Sequence, residues 1–252
     1  MCLVVVAHQA AVRYPFVIAA NRDELHARPT RPATWWPEPP GILGGRDLLA
    51  GGTWLGVDKR GRIAAVTNVR DGTPREAPRS RGALVTDYLG ADESAAGFAA
   101  LSTAAGGSFA AFNLLLFDGT QLWYASNRAP MTLLARGVHS LSNAPFGVDW
   151  PKTASAKSGA VRLLGVDDPI EGLFELLATQ STAESADERY HGAHFMTGPV
   201  YGTRCSTVIV IDDRGVLTFV ERSFDSGGSP TGEVREAFAI EPQPTASTDA
   251  LR

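Results

Sequence analysis

Apolar residues along this chain come in short runs spaced for strands, broken by polar turns, with a few stretches of helical period between them. Residues 3–7 and 16–20 are β-prone apolar runs separated by a turn-length gap. They predict a buried hairpin with Cys2 at the start of its first strand. The polar quartet Asn21-Arg22-Asp23-Glu24 follows directly and reads as the exit from the second strand. Residues 25–53 show little periodicity and carry Pro29, Pro32, Pro37, Pro39 and Pro40 with Trp35 and Trp36. The pattern predicts a long functional loop there, since structureless loops of that length inside a domain rarely serve connection alone. Its tryptophans argue against disorder.

Residues 54–58 and 62–69 predict a second hairpin turning at Lys59-Arg60-Gly61, followed by a polar loop over 70–79. Ser80 reads as an N-cap for a helix through Leu89, and Asp92 or Ser94 as the start of another through Leu101. Strands are predicted over 109–117, 121–126, 131–136 and 138–142. Pro151 suits the first position of a helix running to Leu164, and an amphipathic helix follows over 169–178. A last hairpin spans 206–211 and 216–222, with an edge strand over 236–240. The order is strands, two helices, strands, two helices, strands. Local hairpins imply mostly antiparallel sheets, and the segregated blocks imply α+β layering. No internal repeat or linker divides the chain, so the reading is one domain over 1–240 and a loose Pro/Ser/Thr-rich tail over 241–252.

Composition narrows the function classes. At 252 residues, 44% hydrophobic and 20% charged, the chain has an ordinary globular balance. The net charge of −4 is scattered, with no basic run to suggest nucleic acid or an anionic membrane as partner. No apolar stretch approaches a membrane span and no signal-peptide pattern opens the chain, so a cytoplasmic location is expected. Nothing specifies an oligomeric state. Two cysteines, Cys2 and Cys205, cannot make a disulfide framework. Cys205 reads as a buried, unreactive strand residue.

Position 2 carries the distinctive chemistry. Cysteine is small enough for an aminopeptidase to remove Met1, which leaves Cys2 with a thiol and a free α-amine. Such an amine titrates near pH 7.7–8.0 and a thiol near about 8.5, so one residue supplies both base and nucleophile. The plain alternative is a small apolar residue opening a strand.

Several motifs in order shift that balance. Met1-Cys2, Asn21-Arg22-Asp23-Glu24, Gly52-Thr53-Trp54-Leu55-Gly56, Thr67-Asn68, Leu141-Ser142-Asn143 and Gly202-Thr203-Arg204-Cys205-Ser206-Thr207 together resemble the NRDE family, also called the transport-and-Golgi-organisation-2 family. The resemblance runs to about Phe224. The same skeleton is similar to the choloylglycine hydrolase group of cysteine N-terminal-nucleophile (Ntn) amidohydrolases. It implies a four-layer αββα sandwich and hydrolysis of an amide or acyl bond in a hydrophobic small molecule. By that resemblance Cys2 is the nucleophile, with Arg22, Asp23, Asn68, Asn143 and Arg204 as its site companions. One departure stands out: that group separates the Arg and Asp by two residues, whereas Arg22 and Asp23 are adjacent and so point to opposite faces of an extended chain.

Roles follow from chemistry. Asp23 can orient the Cys2 amine, and Arg22 can favour the thiolate. Asn68 and Asn143 can hold the amine or donate to an oxyanion, or else satisfy their own turns. Arg204 can pair with Asp23 or Cys2. Trp35, Trp36 and Trp54 can line an apolar substrate cleft, and His139 can join it, or all four can pack structurally. Gly44-Gly45-Arg46-Asp47 reads as a tight turn of a kind that can face phosphate. His191 and His194 read as surface histidines, with no metal assigned. The resemblance also carries a non-catalytic alternative, haem or acyl-CoA and lipid binding and trafficking, for which Cys2, His139 and Tyr201 are the candidate haem ligands.

Overall fold

The computed structural model describes residues 2–39, 41–73, 76–183 and 185–241. Two antiparallel sheets stack face to face. The first has six strands in the order β10-β1-β2-β11-β12-β13: Gly137–Leu141, Cys2–His8, Phe16–Leu25, Tyr201–Ile211, Val216–Phe224 and Pro230–Ala239. The second has seven, β3 to β9 in chain order: Thr30–Trp35, Ile42–Asp47, Leu55–Asp58, Ile63–Asn68, Phe112–Phe117, Leu122–Ser126 and Thr132–Leu133. Helices α1 (Gly82–Gly90) and α2 (Ala95–Ala104) cover the outer face of the second sheet. Helices α3 (Pro151–Leu163) and α4 (Ile170–Leu177) cover the outer face of the first, and α5 (Ala186–Gly192) follows.

Strand alternation builds this sandwich. In β1 and β2, Val4, Val6, Phe16, Ile18 and Ala20 point between the sheets, where they meet Leu43, Leu55, Leu115 and Tyr124. Their neighbours Leu3, Val5, Val17 and Ala19 point outward onto Ala156, Leu173 and Leu177 of α3 and α4. Both faces of the hairpin are therefore apolar, as a strand covered on both sides requires. A third core packs Leu84, Val85 and Tyr88 of α1 on Val66, Leu114 and Leu116. Each such fully buried side chain contributes about 1.5–3 kcal/mol. The layers are helix, sheet, sheet, helix, an α+β fold of antiparallel sheets.

Three sequence expectations change. Residues 25–53 are not a long loop: they contain β3 and β4, whose hydrogen bonds to each other and to β5 leave connections of ordinary length. Prolines and tryptophans masked the strands because they sit near an edge, where a missing N–H is tolerated. Asn21 to Glu24 lie inside β2, which runs to Leu25 because the long β11 pairs with it out to Tyr201. Ser94 caps α2 by accepting from the Gly97 N–H at 3.1 Å, but α1 starts after Arg81 with no side-chain cap. The turn at Lys59-Arg60-Gly61 holds, with Gly61 at φ +74°. The tail assigned to 241–252 lies, from 242 on, outside the described residues. No helix among the described residues is long and apolar enough to cross a membrane.

Candidate functional site

The site forms where β1 begins. In register, Cys2 faces Arg22 of β2, and Arg22 faces Cys205 of β11 on its other side. Continuing the alternation of β2, Arg22 follows Ala20 onto the face between the sheets, and Asp23 follows Ala19 onto the helix-facing side. Adjacency in sequence therefore sends the two charges to opposite faces of one strand. Arg22 Nη1 donates to Thr30 Oγ1 at 3.4 Å. Asp23 Oδ1 accepts from the Thr203 hydroxyl at 2.6 Å, and its carbonyl accepts from the Tyr201 hydroxyl at 3.0 Å.

The Cys2 backbone N donates to Asn143 Oδ1 at 3.0 Å, and the Ser142 hydroxyl donates to the Cys2 carbonyl at 2.7 Å. Asn143 Nδ2 in turn donates to the Asn68 carbonyl at 2.8 Å. The turn after β10 is itself pinned from below. Thr67 Oγ1 donates to the Ser142 carbonyl at 2.7 Å and Asn113 Nδ2 to the Ala144 carbonyl at 2.9 Å, while the Tyr124 hydroxyl donates to Asn113 Oδ1 at 2.7 Å. A buried, satisfied network of this kind fixes Asn143 more firmly than a surface turn would. Asn143 is thus committed to holding the first strand's amino end. Asn68 is also among the residues lining the neighbouring cleft.

Electrostatics set the resting state. Cys2 is 9% exposed. Burial pushes its thiol pKa up and Asp23 adds to this, while Arg22 and a hydrogen bond from the Asp23 N–H work the other way. Burial likewise raises Asp23, opposed by Thr203, Lys152 and Arg22. Lys152, in the first turn of α3, is 1% exposed. Burial pushes its ammonium down to about 8, with Asp23 and then Cys2 pulling it back up. Its Nζ lies 5.2 Å from the ring centres of both Trp150 and Tyr190. Sequence reading passed over Lys152. The available signal was a cation placed in a helix's first turn, where the macrodipole disfavours it, beside a sequence position that packs inward.

The other sequence candidates fall into two groups. Trp54 lines the cleft together with Cys2, Arg22, Asp23, Asn68 and Arg204. Arg204 sits in a β-bulge, but its guanidinium pairs with neither Asp23 nor Cys2. It donates instead to the carbonyls of Leu25, His26 and Arg28 at 3.0–3.2 Å, holding the end of β2. Trp35 and Trp36 do not line the cleft. Trp36 is buried and donates to the Gly44 carbonyl at 2.8 Å, and Trp35 packs on Phe238. His139 is also elsewhere: it sits opposite Val6, with Nε2 donating to the Ala135 carbonyl at 2.7 Å. His194 is not a surface residue but 2% exposed, its Nδ1 donating to the Leu176 carbonyl and its Nε2 accepting from Ser155. Cys205 is buried, and burial followed by Glu221 holds its thiol far up. Gly44-Gly45-Arg46-Asp47 is strand β4 rather than a turn.

The cleft holds about 260 Å³ and adjoins a hollow of about 860 Å³ that shares Asn68, Arg28 and Arg81 with it. Gly52 shapes the wall, since a Cβ there would lie 2.5 Å from the Gly82 carbonyl carbon at the start of α1.

The fold has counterparts among solved structures. The architecture matches a Caenorhabditis elegans N-acylethanolamine-hydrolyzing acid amidase orthologue at TM-score 0.51 and 13% identity, over 83% of this chain and 92% of that one. It matches the C2A mutant of the conjugated bile acid hydrolase from Clostridium perfringens at TM-score 0.54 and 9% identity, over 95% of this chain and 92% of that one. At these identities the likeness shows the Ntn-hydrolase fold alone.

Sequence comparison goes further. The family model for transport and Golgi organisation 2 matches residues 1–226, and the chain belongs to that family. Among its relatives, the Bos taurus transport and Golgi organization protein 2 homolog is 34% identical over 247 residues, covering 86% of this chain and 89% of the relative. The Homo sapiens homolog is 32% identical over 239 residues, covering 83% and 87%.

Proposed function

We propose that the chain, once Met1 is removed, is a cysteine Ntn hydrolase that cleaves an amide or related acyl bond in a small molecule with an apolar acyl part. The observation that carries this reading is the Cys2 nitrogen held on Asn143 Oδ1 at 3.0 Å at the head of a cleft that Asn68 and Arg22 also line. With Met1 attached, that nitrogen is an amide without basicity. Freed, it becomes an amine already oriented beside its own thiol.

The Cys2 Sγ–H passes its proton to the α-amine, and the sulfur attacks the substrate carbonyl carbon. The carbonyl π electrons move to oxygen, and Asn68 Nδ2 donates to that oxyanion. Collapse restores the carbonyl and breaks the bond to the leaving nitrogen, which takes the proton from the α-ammonium. Water then attacks the thioester and gives a proton to the amine. The sulfur leaves, recovers that proton, and the free acid departs. Asp23 and Lys152 act as positioning residues that set the field on the amine. The two solved structures that share the fold, an amidase orthologue and a bile acid hydrolase, support the bond class.

A second reading has its own observation. Burial holds the Cys2 thiol up, which suits a protein that binds an acyl-CoA or lipid ligand without turnover as long as Met1 stays in place, and disfavours Cys2 as a haem ligand, since haem takes cysteine as thiolate. Hydrolysis of a panel of N-acyl p-nitroanilides of graded chain length separates the two. The hydrolase reading expects turnover by the processed protein and none by Cys2→Ala. Hydrolysis that survives Cys2→Ala contradicts it.

A further inference from the structure

We infer that the protein pairs with a second copy of itself along the outer edge of β13, joining the two six-stranded sheets across a two-fold axis at Val234. The pairing is independent of what the Cys2 site does.

Strand β13 ends the first sheet, with β12 on one side and no strand among the described residues on the other. It lies beyond residue 226, where the family match stops. Glu233, Arg235, Ala237 and Ala239 are exposed along it, while Val234, Glu236 and Phe238 are half-buried on its inner face. The pairing with β12 decides which backbone groups remain for another strand. The Ile240 N–H donates to the Gly215 carbonyl at 3.0 Å, and the register then runs from Val216 opposite Ala239 to Arg222 opposite Glu233. Bonded and non-bonded positions alternate along an antiparallel ladder. Past the irregularity at the start of β13, the even-numbered residues therefore turn their N–H and C=O groups to β12. Residues 233, 235, 237 and 239 turn theirs away from the sheet. A row of unpaired backbone groups is a template for a further strand.

Charged side chains on an edge ordinarily discourage such pairing. On β13 they alternate in sign and admit one arrangement. Odd positions must meet odd positions, so two copies related by a two-fold axis can centre their pairing on residue 233, 234 or 235. Centring on 233 sets Glu233 against its own copy, and centring on 235 does the same to Arg235. Centring on Val234 sets Glu233 opposite Arg235 of the second copy, twice by symmetry. Opposite charges directly across an antiparallel pair stabilise it, and like charges destabilise it. Arg235 forms no ion pair among the described residues. Glu233 accepts from Arg222 Nε at 2.7 Å through Oε2, which leaves Oε1 for the second copy. On the inner face Val234, already packed against the core between the sheets, meets its own copy at the axis. The same patch serves both partners, as a closed two-fold contact requires.

The contact is a single strand edge, so the dimer should be concentration-dependent. Sedimentation velocity of the full chain from about 1 µM to about 500 µM reads its formation. Hydrogen exchange at both ends of that range reads the edge. Wild type should pass from monomer to dimer, with the amides of Glu233 and Arg235 slowed only in the dimer. Arg235→Glu opposes two acids at both ends of the contact and should weaken the dimer by about tenfold or more. Glu233→Arg should act alike. Combining Glu233→Arg with Arg235→Glu restores opposite signs and should return the affinity to within about threefold of wild type. Both positions are exposed, so the fold tolerates the exchange. Val234→Cys places two thiols across the axis at a non-bonded pair, where a Cα spacing of about 4.5 Å suits a disulfide. Mild oxidation should cross-link that variant and not the wild type, whose cysteines are Cys2 and Cys205. A monomer throughout the range, a dimer indifferent to Arg235→Glu, or a double exchange no tighter than either single one overturns the inference. So does edge protection that is the same at every concentration, which would assign the edge to this chain's own residues 242–252.

Discussion

The two faces of β2 differ beyond Ala20, although the same few residues make both. Toward the helices, Asp23 shares a dry interior with Lys152, Thr203 and the amino end of β1. Toward the second sheet, Arg22 looks into an open cleft edged with further arginines. The first face is a place where each charge depends on its partner. On the second, Arg22 is also buried, but its side-chain partner among the described residues is a neutral hydroxyl, that of Thr30. A strand's two-residue period is what sets Asp23 and Arg22 on opposite sides of β2, with Cys2 on the side of its register partner Arg22.

The sharpest way to break that contrast is to remove one charge from each face. Asp23→Ala leaves Lys152 buried without its main carboxylate, and breaking such a partnership should cost about 3–5 kcal/mol in urea unfolding. Arg31→Ala on the cleft side should change stability by less than about 0.5 kcal/mol. Equal costs on the two faces would erase the distinction.

Asn68→Ala sharpens it in activity. Loss of an oxyanion donor should lower kcat by about 10²–10³ with little change in stability. Steady-state kinetics and thermal unfolding on one preparation check both halves. Arg204→Ala is expected to cost about 2 kcal/mol, because it frees three carbonyls at the end of β2 from a charged donor in a partly exposed place.

A further effect is read in pH. Lys152 has a folded pKa of about 8, below its unfolded value near 10.5. Between those values the unfolded chain binds more protons, so Lys152 makes stability rise as pH climbs from about 8 to about 10.5. Thermal midpoints across that window should rise less in Lys152→Met than in the wild type. An unchanged slope would place the Lys152 ammonium in water.

Much of this was legible in the sequence. The β1–β2 hairpin, the helices capped by Ser94 and opened by Pro151, and the family motifs all rest on local patterns that tertiary structure had no reason to override. The edge strand β3 was hidden by its proline, which an edge tolerates, and β4, paired on both sides, by the glycines and charges of its second half. Arg204 looked like a partner for Asp23 because sequence order places it beside the site, but a bulge turns it to the carbonyls beyond β2. Lys152 was illegible for a different reason. A buried lysine looks like any surface lysine until the fold brings an acid and a thiol beside it. His194 is the same case, since only the fold supplies the Leu176 carbonyl and the Ser155 hydroxyl that let its ring be buried.

The two cysteines on either side of Arg22 give the most direct test. The purified protein is incubated with a thiol-reactive acyl probe, digested, and its peptides weighed. The account predicts an amino-terminal peptide that lacks Met1 and carries one acyl group on Cys2, with Cys205 unmodified. A retained Met1 with no acyl group on Cys2, or acylation at Cys205 instead, would contradict it.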